Sequence, residues 1–97
     1  MNLVWIENAR TAFAALYGEK KAAAVCSAVI PGVMKDFRRM LENAAPGESV
    51  RESYRLDDKK GDIRIEGRRE ADALFITRLT VGETPVDLGE KELRIQG

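Results

Sequence analysis

The spacing of apolar residues changes period at Pro46-Gly47, and this change limits the folds open to the chain. Over residues 3–44 apolar side chains recur at helical spacing, and over residues 49–96 they alternate as strands do. A run of helices followed by a run of strands predicts an α+β fold. The expected arrangement is two or three N-terminal helices packed on one face of a C-terminal antiparallel β-meander of about four strands. No internal repeat or low-complexity tail interrupts this order. At 97 residues the chain reads as a single domain, 1–97, with a helical part at 1–45 and a sheet part at 49–97. A chain of this size can hide roughly two thirds of its unfolded surface, enough for one modest core.

The first helix is predicted from about Leu3 to Tyr17. Trp5, Ala9, Ala12, Phe13 and Leu16 share one side, and Glu7 and Arg10 lie on the other. A short strand at residues 3–6, followed by a helix capped by Asn8, is the alternative. Gly18 suits the left-handed position that ends a helix. Residues 20–30 are rich in alanine, the best helix former. Pro31 then predicts either a kink or the first turn of a new helix. Val33, Phe37, Met40, Leu41 and Ala44 form an apolar stripe, with Lys35, Asp36, Arg38, Arg39 and Glu42 on the other side.

In the second half, Val50, Tyr54 and Leu56 share one strand face, and Arg51, Ser53, Arg55 and Asp57 share the other. Residues 57–62 form a turn by composition. Ile63 and Ile65 point inward between Arg64 and Glu66. Leu74, Phe75 and Ile76 make a run that is apolar on both faces, as in a central strand. Residues 82–85 make the next turn, and Leu93 and Ile95 share a face at the end. Consecutive strands with short connections predict neighbours in the sheet.

Several kinds of chemistry lack their residues. The chain contains no histidine, which removes the usual serine and cysteine triads and the commonest metal ligand. Its single cysteine, Cys26, has no histidine base and no electropositive neighbours, and reads as a small core residue. Zinc would need about four ligands. The acidic turn at Asp57, Asp58 and Asp62 lacks the alternating pattern of a calcium loop and holds Lys59 and Lys60. The glycines at 61 and 67, and at 82 and 89, do not have the spacing of a phosphate loop. Glu52, on the face of Val50 and Tyr54, is one carboxylate where acid–base work generally needs a pair. The expectations are therefore no enzyme, no catalytic residues, no cofactor and no metal.

The thirteen residues 22–34 carry no charge, but they are too few to span a bilayer, are dominated by alanine and are broken by Pro31-Gly32. A secretion signal would begin near residue 1 with a basic region. No membrane role is expected, and one unpaired cysteine fits a reducing compartment, so the expected location is cytoplasmic.

Sixteen basic residues balance sixteen acidic ones, so the chain carries no net charge and resists association little. If helices cover only one sheet face, Leu74 and Ile76 would form an apolar patch on the other, a candidate interface with a protein partner or a second copy. The leading expectation is a non-enzymatic interaction or assembly protein. It would be a homo-oligomeric subunit of a bacterial or phage-type complex, or a small adaptor. The alternative is a nucleic-acid-binding regulator using Arg38, Arg39, Arg51, Arg55, Arg64, Arg68 and Arg69. Against it, the basic excess over residues 35–69 is small, and Tyr54 falls on the face away from Arg51 and Arg55.

Overall fold

The computed structural model describes residues 4–55 and 62–95. The helix start at Leu3, the inward position of Leu56, the turn through Asp57, Asp58, Lys59, Lys60 and Gly61, and Gln96 lie outside them. The described residues form an α+β structure: two helices, α1 (Val4–Tyr17) and α2 (Glu19–Glu42), precede an antiparallel sheet.

In α1 the buried residues are Trp5, Ala9, Ala12 and Phe13, the stripe its spacing predicts, while Leu16 is half-buried. Gly18 alone joins the helices, with φ of +86°, a conformation costly for any residue with a Cβ. Residues 19–42 then form one helix, so the described residues contain two helices and not three. Pro31 lies inside α2 on its exposed side. There the proline ring faces water, and water can solvate the carbonyl four residues earlier, which limits the cost of the missing N–H. Ala22, Cys26, Ile30, Val33, Phe37 and Leu41 line the buried side of α2 at steps of three and four.

The strands are β1 (Ser49–Arg55), β2 (Asp62–Arg69), β3 (Leu74–Val81), β4 (Thr84–Pro85) and β5 (Leu93–Ile95). They are ordered β1-β2-β3-β4, and β5 also pairs with β3. The expected four-stranded meander is thus modified at its last strand. β4 pairs with Thr80 and Val81, β5 pairs with residues 74–76, and residues 86–92 make an excursion between them. The excursion carries core residues of its own, since Val86 and Leu88 are buried and Asn8 of α1 donates to the Asp87 carbonyl at 2.8 Å.

One irregularity decides which face each residue of β3 occupies. Glu66 pairs with Arg78, but Gly67 pairs with Ile76, so Thr77 is an extra residue on β3. Such a bulge reverses the alternation beyond it. Leu74, Ile76, Leu79 and Val81 consequently all face the helices and are buried. This corrects the candidate interface: Leu74 and Ile76 lie in the core beneath the helices, 8% and 1% exposed. It is Phe75 that faces outward, half-buried.

Candidate functional site

Two surfaces are left once the core is closed. The first is the outward side of α2 in its N-terminal half. Among the charge-free residues 22–34, Ala22, Cys26, Ile30 and Val33 are buried, while Ala24, Ala28, Pro31 and Gly32 are exposed and Val25 and Val29 half-exposed. A surface helix ordinarily sets charges opposite its buried stripe. The C-terminal half of α2 does so with Lys35, Arg38, Arg39 and Glu42, whereas the N-terminal half has none between Lys21 and Lys35. Beside this face runs an open groove of about 600 Å³, walled by α2, Tyr17 of α1, and Tyr54 and Arg55 of β1. Its lining is mostly apolar, with Lys21 and Arg55 as its charged members, and the Lys21 ammonium sits 5.0 Å from the centre of the Tyr17 ring.

The groove's far wall is anchored by Tyr54. Its hydroxyl donates to the Asp36 carboxylate at 2.7 Å, and Arg39 donates to the same carboxylate at 2.6 Å. The hydrogen bond from Tyr54, then that from Arg39, holds the Asp36 carboxyl below its usual range. Burial and then the bond to Asp36 push the Tyr54 phenol well above its usual range. Cys26 is buried in the helical layer, and that burial pushes its thiol up, away from the reactive thiolate. Glu52 is half-buried on the helix side of β1 opposite Ile65, with its carboxylate accepting the Ser53 amide at 3.0 Å. Among the described residues, no three of His, Cys, Asp or Glu come close enough to hold a metal ion. No helix among them is long and apolar enough to cross a membrane.

The second surface is the face of the sheet that the helices leave open. Its cross-strand rows follow from the register. One row runs Ser49, Arg68, Phe75, Arg94; the next Arg51, Glu66, Arg78; the next Ser53, Arg64, Thr80; the last Arg55, Asp62. Arg68 is the most constrained of these. It bonds Glu70 at 2.5 Å and Glu92 at 2.6 Å, and its guanidinium lies 5.4 Å from the centre of the Phe75 ring. The Arg68 hydrogen bond holds the Glu92 carboxyl below its usual range. Glu66 stands between Arg51 and Arg78 at 3.6 and 3.7 Å.

The seven arginines singled out by sequence therefore separate. Arg51, Arg55, Arg64 and Arg68 share the open sheet face. Arg38 and Arg39 belong to the helical layer on the other side, beside Glu42 and Asp36. Arg69 points to the helix side of β2 and donates to the carbonyls of Glu42 and Ala44. There it satisfies and neutralises the C-terminal end of α2. Two members of the open face, Arg78 and Arg94, are absent from the sequence-based set. A signal for Arg78 was present: strict alternation would put it on the face of Leu74 and Ile76, and Leu79 and Val81 on the opposite one. Only an extra residue reconciles all five.

Set against known proteins, the chain matches no family model, no curated protein and no solved structure.

Proposed function

We propose that the chain is a non-enzymatic assembly protein that associates with itself through the uncharged outward face of α2 and the groove beside it. The observation that carries this reading is the exposed, charge-free stretch around Ala24, Ala28 and Gly32, flanked by half-exposed Val25 and Val29. Helix packing against α1 and the sheet accounts for the opposite side of α2, and among the described residues no element packs over this side. Alanine and glycine let a second helix approach closely, and the charge-free residues 22–34 of α2 offer a contact about 20 Å long. A chain with no net charge opposes such association weakly. The lone, buried cysteine fits a reducing compartment such as the cytoplasm.

Light scattering across a concentration series tests the proposal, with wild type beside Ala28→Glu. Ala28 is exposed, so glutamate there leaves the folded chain unstrained and charges only the contact. The wild type should be larger than a monomer, and the variant should dissociate. A wild-type monomer at every concentration, or an oligomer indifferent to Ala28→Glu, would refute it.

A further inference from the structure

We infer that the open face of the sheet binds single-stranded nucleic acid, with Arg55, Arg64 and Arg94 taking phosphates and Phe75 taking a base. The inference is separable from self-association, because Arg64, Arg94 and Phe75 lie on the sheet face turned away from α2, and of the named residues only Arg55, at the edge, also borders the groove beside α2.

The neutral composition conceals an uneven distribution. Six of the chain's arginines, at 51, 55, 64, 68, 78 and 94, stand on the open face, and none of its lysines lies in the cross-strand rows. The carboxylates among them are Asp62 and Glu66 within the rows, and Glu70 and Glu92 at the edge on Arg68. Six cations against four anions leave this face positive in a chain of zero net charge.

How the charges are used matters more than their count. Arg68 is committed to Glu70 and Glu92, and Arg51 and Arg78 share Glu66. Arg55, Arg64 and Arg94 form no ion pair among the described residues. Arg64 stands mid-sheet between Ser53 and Thr80, two hydroxyls that can add hydrogen bonds to a phosphate. In the next-but-one row, Phe75 lies between Arg68 and Arg94. Arg68 is held against the ring by its two carboxylates, so it orients the aromatic more than it offers free charge.

The residue types favour nucleic acid over an acidic protein. Arginine's planar fork matches phosphate and carboxylate oxygens alike, but it also stacks on flat rings, which a base offers and an acidic side chain does not. An aromatic ring beside unpaired arginines on an open sheet pairs a stacking platform with backbone contacts, which single strands require. Among the described residues the helices cover only the other face of the sheet, so bases splayed from a single strand can reach this one.

The test is fluorescence anisotropy of a labelled mixed-sequence single strand of about 16 nucleotides at low salt, using the full chain. Wild type should bind, with affinity falling steeply as salt rises. The double variant Arg64→Gln with Arg94→Gln should bind roughly tenfold or more weakly, and the slope of log affinity against log salt should fall by about 0.7 for each arginine removed. Both positions are exposed, so circular dichroism and solution mass should not change. Phe75→Leu should weaken binding severalfold and leave the salt slope as in wild type. Absence of binding at low salt would overturn the inference. So would equal binding by the variants, or displacement of the strand by an equal charge of poly-glutamate, which would point to an acidic protein.

Discussion

On the inner face of β2, Ile63, Ile65 and Gly67 are buried beneath α2, and on its outer face Arg64 stands in water. The two sets of residues alternate along one strand and obey different rules. Inside, volume decides: among the described residues the core contains no buried polar or charged side chain, and Phe37, at 0% exposure, is set directly over Gly67. Outside, arginines, carboxylates and hydroxyls pair loosely across strands, and most could be exchanged without disturbing the packing. Substitutions on the inner face should therefore cost stability, and substitutions on the outer face should cost only what that face binds.

The largest effect should come from Gly67→Ala. A Cβ there would meet the Phe75 carbonyl oxygen at 2.6 Å and Cε2 of Phe37 at 2.8 Å. The backbone atom cannot yield as a side-chain tip can, so urea unfolding should show a loss of about 3 kcal/mol, at the upper end for overpacking. Adding Phe37→Leu should restore only part of it, because the carbonyl remains. Full rescue in this double-mutant cycle would mean that the ring alone sets the limit.

Next in size is Tyr54→Phe, at the rim where the inner face meets the groove. Loss of the hydroxyl that bonds Asp36 should cost about 1 kcal/mol at neutral pH. The folded pKa of Asp36 lies below its unfolded value, so its contribution is present above the ordinary carboxylate range and is lost as pH falls through the folded value. The folded pKa of Tyr54 lies above its unfolded value, so its contribution is present below about pH 10 and is lost as pH rises toward the folded value. Unfolding measured against pH should accordingly show a gap between wild type and variant that narrows at both ends. A gap constant from acid to alkali would mean that the hydroxyl contributes by packing alone.

Gly32→Ala turns the comparison onto α2 and should have the opposite sign. Nothing lies within 4 Å of a Cβ at Gly32, and the position is helical. Alanine there should raise stability by about 0.5–1 kcal/mol through helix propensity and the less flexible unfolded chain. The same substitution would thus destabilise where the chain is covered and stabilise where it is open.

Much of the inner face was legible in the sequence, because burial follows period. The buried stripe of α1, Phe37 and Leu41 on α2, and Ile63 and Ile65 on β2 all fall where the helical and alternating patterns place them. The pattern misled at two points, each for a local reason. Pro31 reads as a break, yet α2 continues through it: the position is exposed, so water can solvate the freed carbonyl, and packing of the buried stripe on both sides of Pro31 offsets the remaining cost of the ring. In β3 strict alternation fails at Thr77, and without that bulge Leu74 and Ile76 looked like an outward patch. The outer face was only partly readable. Arg51, Arg55 and Arg64 follow from alternation, but Arg78 and Arg94 join them only through the bulge and through β5 returning to the edge of β3. The uncharged run in α2 stood out in the sequence, but which of its residues face outward depends on how α1 and the sheet cover the helix.

The smallest effect on stability, and the sharpest separation of the two faces, should come from Glu66→Gln. Glu66 is shared by Arg51 and Arg78, whose side chains are 82% and 69% exposed, at distances longer than a hydrogen bond. Exposed pairs of this kind contribute little, so the unfolding free energy should stay within about 0.5 kcal/mol of wild type. Removing the carboxylate nevertheless releases two arginines on a face already positive. If that face binds single strands, Glu66→Gln should tighten binding and steepen its salt dependence while the unfolding midpoint stays put. A loss of stability comparable to that of Gly67→Ala would mean instead that the ion pairs hold the sheet together, and the contrast between a packed face and a free one would fail.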